Sequence, residues 1–461
     1  MESACIQLVE KPSCRTNGCA LSAPTATIVS ALWYGFPFLA VLALIGAWQH
    51  LLERRRRDTV VTGIREARDL GANRPQNQYP HIEPLSCIGC TACITACPES
   101  GVIEMVDGIA HVVRAASCVG HGVCEVACPV GAIRVGLGEV AQRPDRPRLS
   151  SEYETSVPGV FVAGELSGVA LIRNAVEAGK AVIDAIALRP RGTPQQGVVD
   201  VLIVGAGPCG LTASLRAIEH GLSWITIDQD GLGGTVRKYP RRKLVLTQPV
   251  ELPLGERLRR RQYVKEELIE FWADCMERHG AKVRAGVRFA GVTRDNGVFL
   301  ADTSAGPIRC RTILLALGRR GTPRKLGVPG EESERVLYQL TDAATYRSER
   351  VLVVGGGDSA LEAATALASQ PGNRVALSYR KADFFRAKRR NLDRIREFAA
   401  DGRIEVIFSS QVRTIEPGRV LIATQGGSER AIENDYVFVF AGGNPPFPLL
   451  KQVGIAMGPA E

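Results

Sequence analysis

Cys87, Cys90, Cys93 and Cys97, the last followed by Pro98, fall at the spacing C-x2-C-x2-C-x3-C-P, and thiolates offered this way on a tight loop hold iron–sulfur clusters. The run then repeats, with Cys118, Cys124 and Cys128, followed by Pro129, in the first, third and fourth places of a second copy. His121 stands where the remaining cysteine would be. Imidazole can ligate iron and, being neutral where thiolate is charged, would raise that cluster's potential. A three-cysteine cluster, or none, is the other outcome. Zinc is the bland alternative for the whole module, and two Cys-Pro endings within an internal duplication count against it. The chemistry on offer is one-electron transfer.

Two glycine loops offer a second chemistry. Val201, Leu202, Ile203 and Val204 run straight into Gly205-Ala206-Gly207-Pro208-Cys209-Gly210, a helical pattern follows, and a second apolar run ends in Asp228. Strand, turn, helix, strand and acid in this register make a dinucleotide-binding unit. Gly205 permits the tight turn, Gly207 lets the backbone approach a pyrophosphate at the helix amino terminus, and Gly210 lets helix and strand pack closely. Asp228 lies where a carboxylate can accept hydrogen bonds from a ribose. A second unit opens at Val351, with Gly355, Gly357 and Ala360 as G-x-G-x-x-A. Its second strand ends in Arg380 and Lys381 instead of an acid, with Arg386, Lys388 and Arg389 just after. A 2′-phosphate needs that positive charge, so NADPH is favoured over NADH.

The two cysteine runs resemble the halves of a bacterial two-cluster ferredoxin. In that family the fourth cysteine of each run ligates the other cluster. The resemblance therefore implies one 4Fe-4S site from Cys87, Cys90, Cys93 and Cys128, and another from Cys118, Cys124 and Cys97, with His121 as its remaining candidate ligand. Residues 155–187, TSVPGVFVAGELSGVALIRNAVEAGKAVIDAIA, resemble the closing segment of thioredoxin-reductase-like flavoproteins, which in that family ends the chain and completes the FAD site. The matching residues are Ala163, Gly164, Glu165, Arg173, Asn174 and Ala175. By that resemblance residue 165 would bond the flavin ribityl chain, and the helix amino terminus would face the isoalloxazine, where its positive end favours the reduced, anionic flavin. The family uses Asp where this chain has Glu165. Because the carboxyl end stops where the family would still need this segment, the sequence reads as a circular permutation joined through residues 189–197. The resemblance is closest to the bacillithiol-disulfide-reductase branch. It also implies that Gly233, Gly234, Thr235 and Gln248 lie near the flavin, and that residues 312–332 are the crossover out of the FAD domain.

At 461 residues the chain has room for about three domains. Lys+Arg 57 against Asp+Glu 48 leaves a net charge of +9, which suits anionic cofactors, anionic lipid or an acidic protein partner; no nucleic-acid motif accompanies it. The cysteines, 13 in all, are clustered, which argues for a reducing compartment and against a secreted disulfide scaffold. Cys209, Cys275 and Cys310 read as ordinary thiols, and Cys5, Cys14 and Cys19 receive no role. No charged residue lies between Arg15 and Glu53, and Ile28 to Trp48 is apolar almost throughout, long enough for a bilayer-spanning helix. Trp33, Tyr34 and Trp48 sit near its ends, and LLERRRR follows in place of a cleavage site. The segment therefore reads as a retained anchor. Arg54 to Arg57, with Arg65 and Arg68, outweigh Lys11 and Arg15, which places the redox domains on the cytoplasmic side of the inner membrane.

The expected architecture is multidomain. A tail (1–27), a transmembrane helix (28–52) and a linker (53–80) precede an α+β ferredoxin-like domain with two 4Fe-4S clusters (81–140). The displaced closing segment (150–188), an α/β Rossmann-like FAD domain (198–330), a second Rossmann-like domain for NADPH (331–430) and a return to the FAD domain (431–461) follow. The expected function is that of an NADPH:acceptor oxidoreductase, in which hydride passes to FAD and single electrons pass through the clusters to an unidentified acceptor or donor protein. No Ser-His-Asp set or carboxylate pair suggests itself, and flavin-borne chemistry needs none. Thioredoxin reductases carry a C-x-x-C just before the second glycine motif, and residues 341–350 contain no cysteine, which argues against direct dithiol chemistry. A disulfide or low-molecular-weight thiol reductase, a redox sensor or scaffold without turnover, and flow from a ferredoxin to NADP+ stay open. So does the oligomeric state, a homodimer included.

Overall fold

The computed structural model of the chain describes residues 25–190, 192–193, 195–246 and 249–459, with side chains from residue 38 onward except at 246. Cys5, Cys14, Cys19 and Gln248 lie outside the described residues. The chain divides into two compact units, 1–59 and 60–461.

Helix α1 runs from Thr25 to Leu70. Residues 53–70, expected as a linker, are helical: Arg, a good helix former, is the commonest residue there, and no proline interrupts the stretch. Gly71, at φ 75°, ends the helix in left-handed geometry. The membrane expectation does not hold: among the described residues no helix is long and apolar enough to cross a membrane. The same helix continues past the expected span into Glu53 and Arg54. The expected placement at the inner membrane falls with that helix.

In the second unit, strand β1 (Tyr79–Ile82), helix α2 (Ala92–Ala96), the hairpin of β2 (Ile103–Val106) and β3 (Ile109–Val112), helix α3 (Val123–Ala127) and strand β4 (Ile133–Gly136) form the ferredoxin-like domain. β1 pairs antiparallel with β4, so the two ends of the domain meet. Cys93, Val102, Ile103, Ala110, Cys124 and Ile133 make its small core. Pro98 and Pro129 cannot continue α2 and α3, and the residue before each is driven out of helical geometry. Cys97 and Cys128 accordingly leave their helices with ψ of 121° and 110°.

The next domain is built on strand β5 (Val160–Val162), helix α4 (Ile172–Ala187), strand β6 (Val198–Val204), helix α5 (Pro208–Glu219) and strand β7 (Trp224–Asp228). Its seven-stranded sheet has β7 and β6 beside strand Ile308–Leu315, which also pairs in parallel with β5. Ile313 faces Val160 on one side and Leu202 on the other. Residues 155–187 thus pack directly on the unit that begins at β6. Helix α4 buries Val176, Val182 and Ile183 completely, each contributing roughly 1.5–3 kcal/mol. Its contact with α5 depends on Gly179, where a Cβ would lie 2.4 Å from the Cys209 carbonyl oxygen. Helix α6 (Lys265–Arg278) covers the same domain with Trp272 buried.

The third domain is a five-stranded parallel sheet in the order Val336–Leu337, Tyr436–Val439, Arg350–Val354, Arg374–Ser378, Ile404–Ile407. Helices α7 (Asp358–Ala368) and α8 (Arg389–Ala400) pack on one core. A three-stranded antiparallel layer, 411–433, packs on another core with Leu352 and Val437. Leu450, Val453 and Ile455 then join the core around β5 and β6.

Candidate redox site

The thiols sort into two groups, each drawing one cysteine from the other run. Cys87, Cys90, Cys93 and Cys128 line one cavity of about 320 Å³ with Ile88, Met105 and Val130. Cys97 lies close enough to Cys118 and Cys124 to act on both: burial first, then this negative neighbour, pushes each of those thiols up to about 11. The pocket disfavours thiolate by itself, and a bound cation is what reverses that. Among the described residues no three His, Cys, Asp or Glu side chains close on a single metal ion. These thiols surround open space, which a cluster can fill. His121 is half-buried, and burial pushes its pKa down, with Glu99 opposing and Lys388 reinforcing. The imidazole is held in the neutral form that can ligate a metal. Glu99 is anchored here as well, since its carbonyl accepts from Cys97 Sγ at 3.3 Å.

At the first glycine loop the expected residues come together. Gly210 has no room for a side chain, because a Cβ would lie 1.8 Å from the Gly205 carbonyl oxygen; at Gly207 a Cβ would meet nothing within 4 Å. The first turn of α5, starting at Pro208, has no side-chain cap. The loop is therefore packed tightly behind and open in front, which fits a pyrophosphate. Asp228 Oδ2 accepts from Ala206 N at 2.7 Å, and Oδ1 from Asp230 N and Gly231 N at 2.7 and 2.8 Å, so the acid also clamps the loop. Gly233 N donates to the Ala206 carbonyl at 2.8 Å, Gly234 sits on Gly207, and Thr235 follows in the same turn. From the closing segment, Gly164 backs onto Cys209, and the Glu165 carboxylate is exposed. Arg173, Asn174 and Ala175 form the first turn of α4, where Asn174 Nδ2 donates to the Ala170 carbonyl at 2.7 Å.

The second loop repeats the arrangement. Gly355 approaches the Phe440 carbonyl, with a Cβ there 2.6 Å from its oxygen, and Ala360 is fully buried. Gly357 is open in front, and α7 again starts without a side-chain cap. Tyr379 lies against Gly356 and stacks on Phe384 at 5.5 Å. Arg380, Lys381 and Arg386 are exposed, with Arg386 over the Phe385 ring at 5.0 Å. Lys388 has a different partner, since its Nζ pairs with Glu99 of the ferredoxin-like domain.

Sequence reading missed the groups that join the domains. Lys243 pairs with Glu362 at 2.8 Å, and Arg241 with Asp342 at 3.2 Å. Beside them Tyr239 carries a raised pKa, from burial first and then from Glu165. These partners are far apart in sequence and of ordinary type, so no spacing signals them.

Two dinucleotide loops, each following a strand with parallel neighbours, with a thiol-lined domain docked on them, define a flavoprotein reductase that carries an iron–sulfur domain. Residues 202–459 match the pyridine nucleotide-disulphide oxidoreductases, more than half of the chain, and the protein belongs to that family of FAD-dependent oxidoreductases. Residues 76–132 match the 4Fe-4S dicluster domain. A ferredoxin–NADP reductase of Ignicoccus hospitalis is 27% identical over 265 residues, covering 56% of this chain and 82% of that protein. The bacilliredoxin reductase Bdr of Bacillus subtilis is 25% identical over 259 residues, covering 55% and 80%. The solved bacillithiol disulfide reductase of Staphylococcus aureus superposes with a TM-score of 0.52 at 25% identity, covering 58% of this chain and 83% of its own.

Proposed function

We propose that this protein is an NADPH-dependent oxidoreductase that exchanges electrons with a partner protein through FAD and two 4Fe-4S clusters. One observation carries the reading: the cysteines separate into two crossed sets within a domain that contacts both nucleotide-binding domains. When bound, FAD supplies the conversion between hydride and single electrons that joins nicotinamide to iron–sulfur chemistry.

The chain's own residues hold and tune these carriers. Gly205, Gly207, Pro208 and Gly210 cradle the FAD pyrophosphate, with Asp228 fixing the loop and meeting the ribose. Gly164, Glu165 and the first turn of α4 (Arg173, Asn174, Ala175) hold the ribityl and flavin end, beside Gly233, Gly234 and Thr235. The free amino end of α4 favours negative charge on the ring. Gly355, Gly357 and Ala360 seat NADPH, and Arg380, Lys381 and Arg386 meet its 2′-phosphate. Cys87, Cys90, Cys93 and Cys128 hold one cluster; Cys97, Cys118, Cys124 and His121 hold the other. The closing segment precedes the first strand of the domain it completes, which we read as circular permutation.

The named relatives also support a second reading, reduction of a small disulfide. The two separate by acceptor. NADPH oxidation should be fast with a one-electron protein acceptor and slow with a low-molecular-weight disulfide. Turnover with the disulfide alone would replace the first reading by the second.

A further inference from the structure

Where the ferredoxin-like domain joins the FAD domain, three arginines converge on a solvent-open cavity of about 250 Å³. Arg143 and Arg146 lie on the segment leading out of the ferredoxin-like domain, and Arg319 follows the strand Ile308–Leu315. Gln76 ties two of them together: its Oε1 accepts from Arg143 at 3.4 Å and its carbonyl from Arg319 at 3.3 Å. Arg143 is already engaged, donating from Nε and Nη2 to Asp145 at 2.8 and 2.6 Å.

Arg146 is the unusual member. The residue is 8% exposed, and its Nη1 is buried without a hydrogen-bond partner. The guanidinium rests on Gly168, where a Cβ would lie 1.8 Å from Nη1 and 2.1 Å from Cζ, so only glycine admits it. Burial first, then the charges of Arg319 and Arg143, lowers its pKa to about 10. Glu165 opens on the same cavity. Three guanidiniums therefore face two carboxylates, one of them already bound by Arg143. A buried charge left unpaired is costly, and held guanidinium donors in a partly dry pocket are what an oxyanion binds.

We propose that Arg146 and Arg319, with Gln76, form a binding site for a small tetrahedral oxyanion of the phosphate or sulfate kind. The groups come from before the ferredoxin-like domain, after it and the FAD-domain crossover, so an occupied site fastens the two domains together. A free anion and a phosphate of FAD offer the same chemistry, and the test separates them.

FAD-loaded protein and the same protein stripped of flavin are each titrated with sodium phosphate and with sodium sulfate, against sodium chloride at equal ionic strength, and the thermal midpoint is followed. The expected result is a saturable rise of about 3–6 °C at a hundredfold excess over Kd. Arg146→Gln and Arg319→Gln should each weaken the response at least about tenfold while flavin content stays unchanged. The variants are independent, so one that folds suffices. An equal rise with chloride, or a folded Arg146→Gln protein that titrates like the parent, would overturn the site. A response confined to FAD-free protein would assign the pocket to the cofactor's own phosphate and remove the free-anion proposal.

Discussion

Arg380 and Lys381 leave the second strand of the second glycine-loop unit side by side and exposed, at the position where a ribose 2′-phosphate would need cations. Replacing both by Ser should raise the KM for NADPH at least about tenfold, the worth of one charge-assisted hydrogen bond, and leave the KM for NADH and kcat unchanged. Equal losses for both nucleotides would remove these residues from the phosphate site. His121 makes a separate prediction, since imidazole and thiolate leave different charge on a cluster. His121→Ala should alter one iron–sulfur paramagnetic signal and spare the other; two unchanged spectra would dismiss it as a ligand. The cysteine runs were legible by spacing; their crossed grouping was not, and came only from the ferredoxin resemblance. Lys388 was not: sequence put it among the phosphate-binding cations, but Glu99 lies too far away in the chain for any local pattern to show that it claims this charge.

Helix α4 and the strand before it were implied by the family resemblance, and β5 pairs beside the strand that flanks β6. How closely α4 approaches α5 was not readable, because that distance depends on the space at Gly179. Gly179→Val should cost about 1–3 kcal/mol through overpacking and lower FAD retention, measured as thermal midpoint and flavin-to-protein ratio. A variant with unchanged midpoint and full flavin would mean that the segment does not hold the FAD site. In the neighbouring domain, Arg350 Nη2 donates to Asp435 at 2.7 Å, linking the starts of two adjacent strands. That hydrogen bond, the largest cause, holds the Asp435 carboxyl down at about 2. Its unfolded value is about 3.9, so the stabilisation is complete above that pH and fades as pH falls toward 2. Asp435→Asn should lower the midpoint at pH 7, and the gap to the parent should shrink only below about pH 4. A gap constant across pH would place the effect elsewhere. Helix α1 runs on through the expected linker to Leu70, because no proline interrupts it.

For the whole molecule, the notable arrangement lies within residues 60–461. The second glycine-loop domain is tied to the first by Lys243–Glu362 and Arg241–Asp342, and to the ferredoxin-like domain by Lys388–Glu99. Phe385 adds an apolar contact to Ala67, Ala72 and Val113. Domain order was legible from motifs; these contacts join residues far apart in sequence and emerge only from the fold. Glu99→Gln should leave the rate of flavin reduction by NADPH intact and lower turnover with a one-electron protein acceptor several-fold. If flavin reduction fell equally, the ion pair would serve nucleotide binding instead. The most direct test of electron passage is an anaerobic titration of the cofactor-loaded protein with NADPH, following flavin absorbance and iron–sulfur paramagnetic signals together. Bleaching of the flavin accompanied by the appearance of reduced-cluster signals is the expected result. Full bleaching with clusters that stay oxidised under excess NADPH would contradict it.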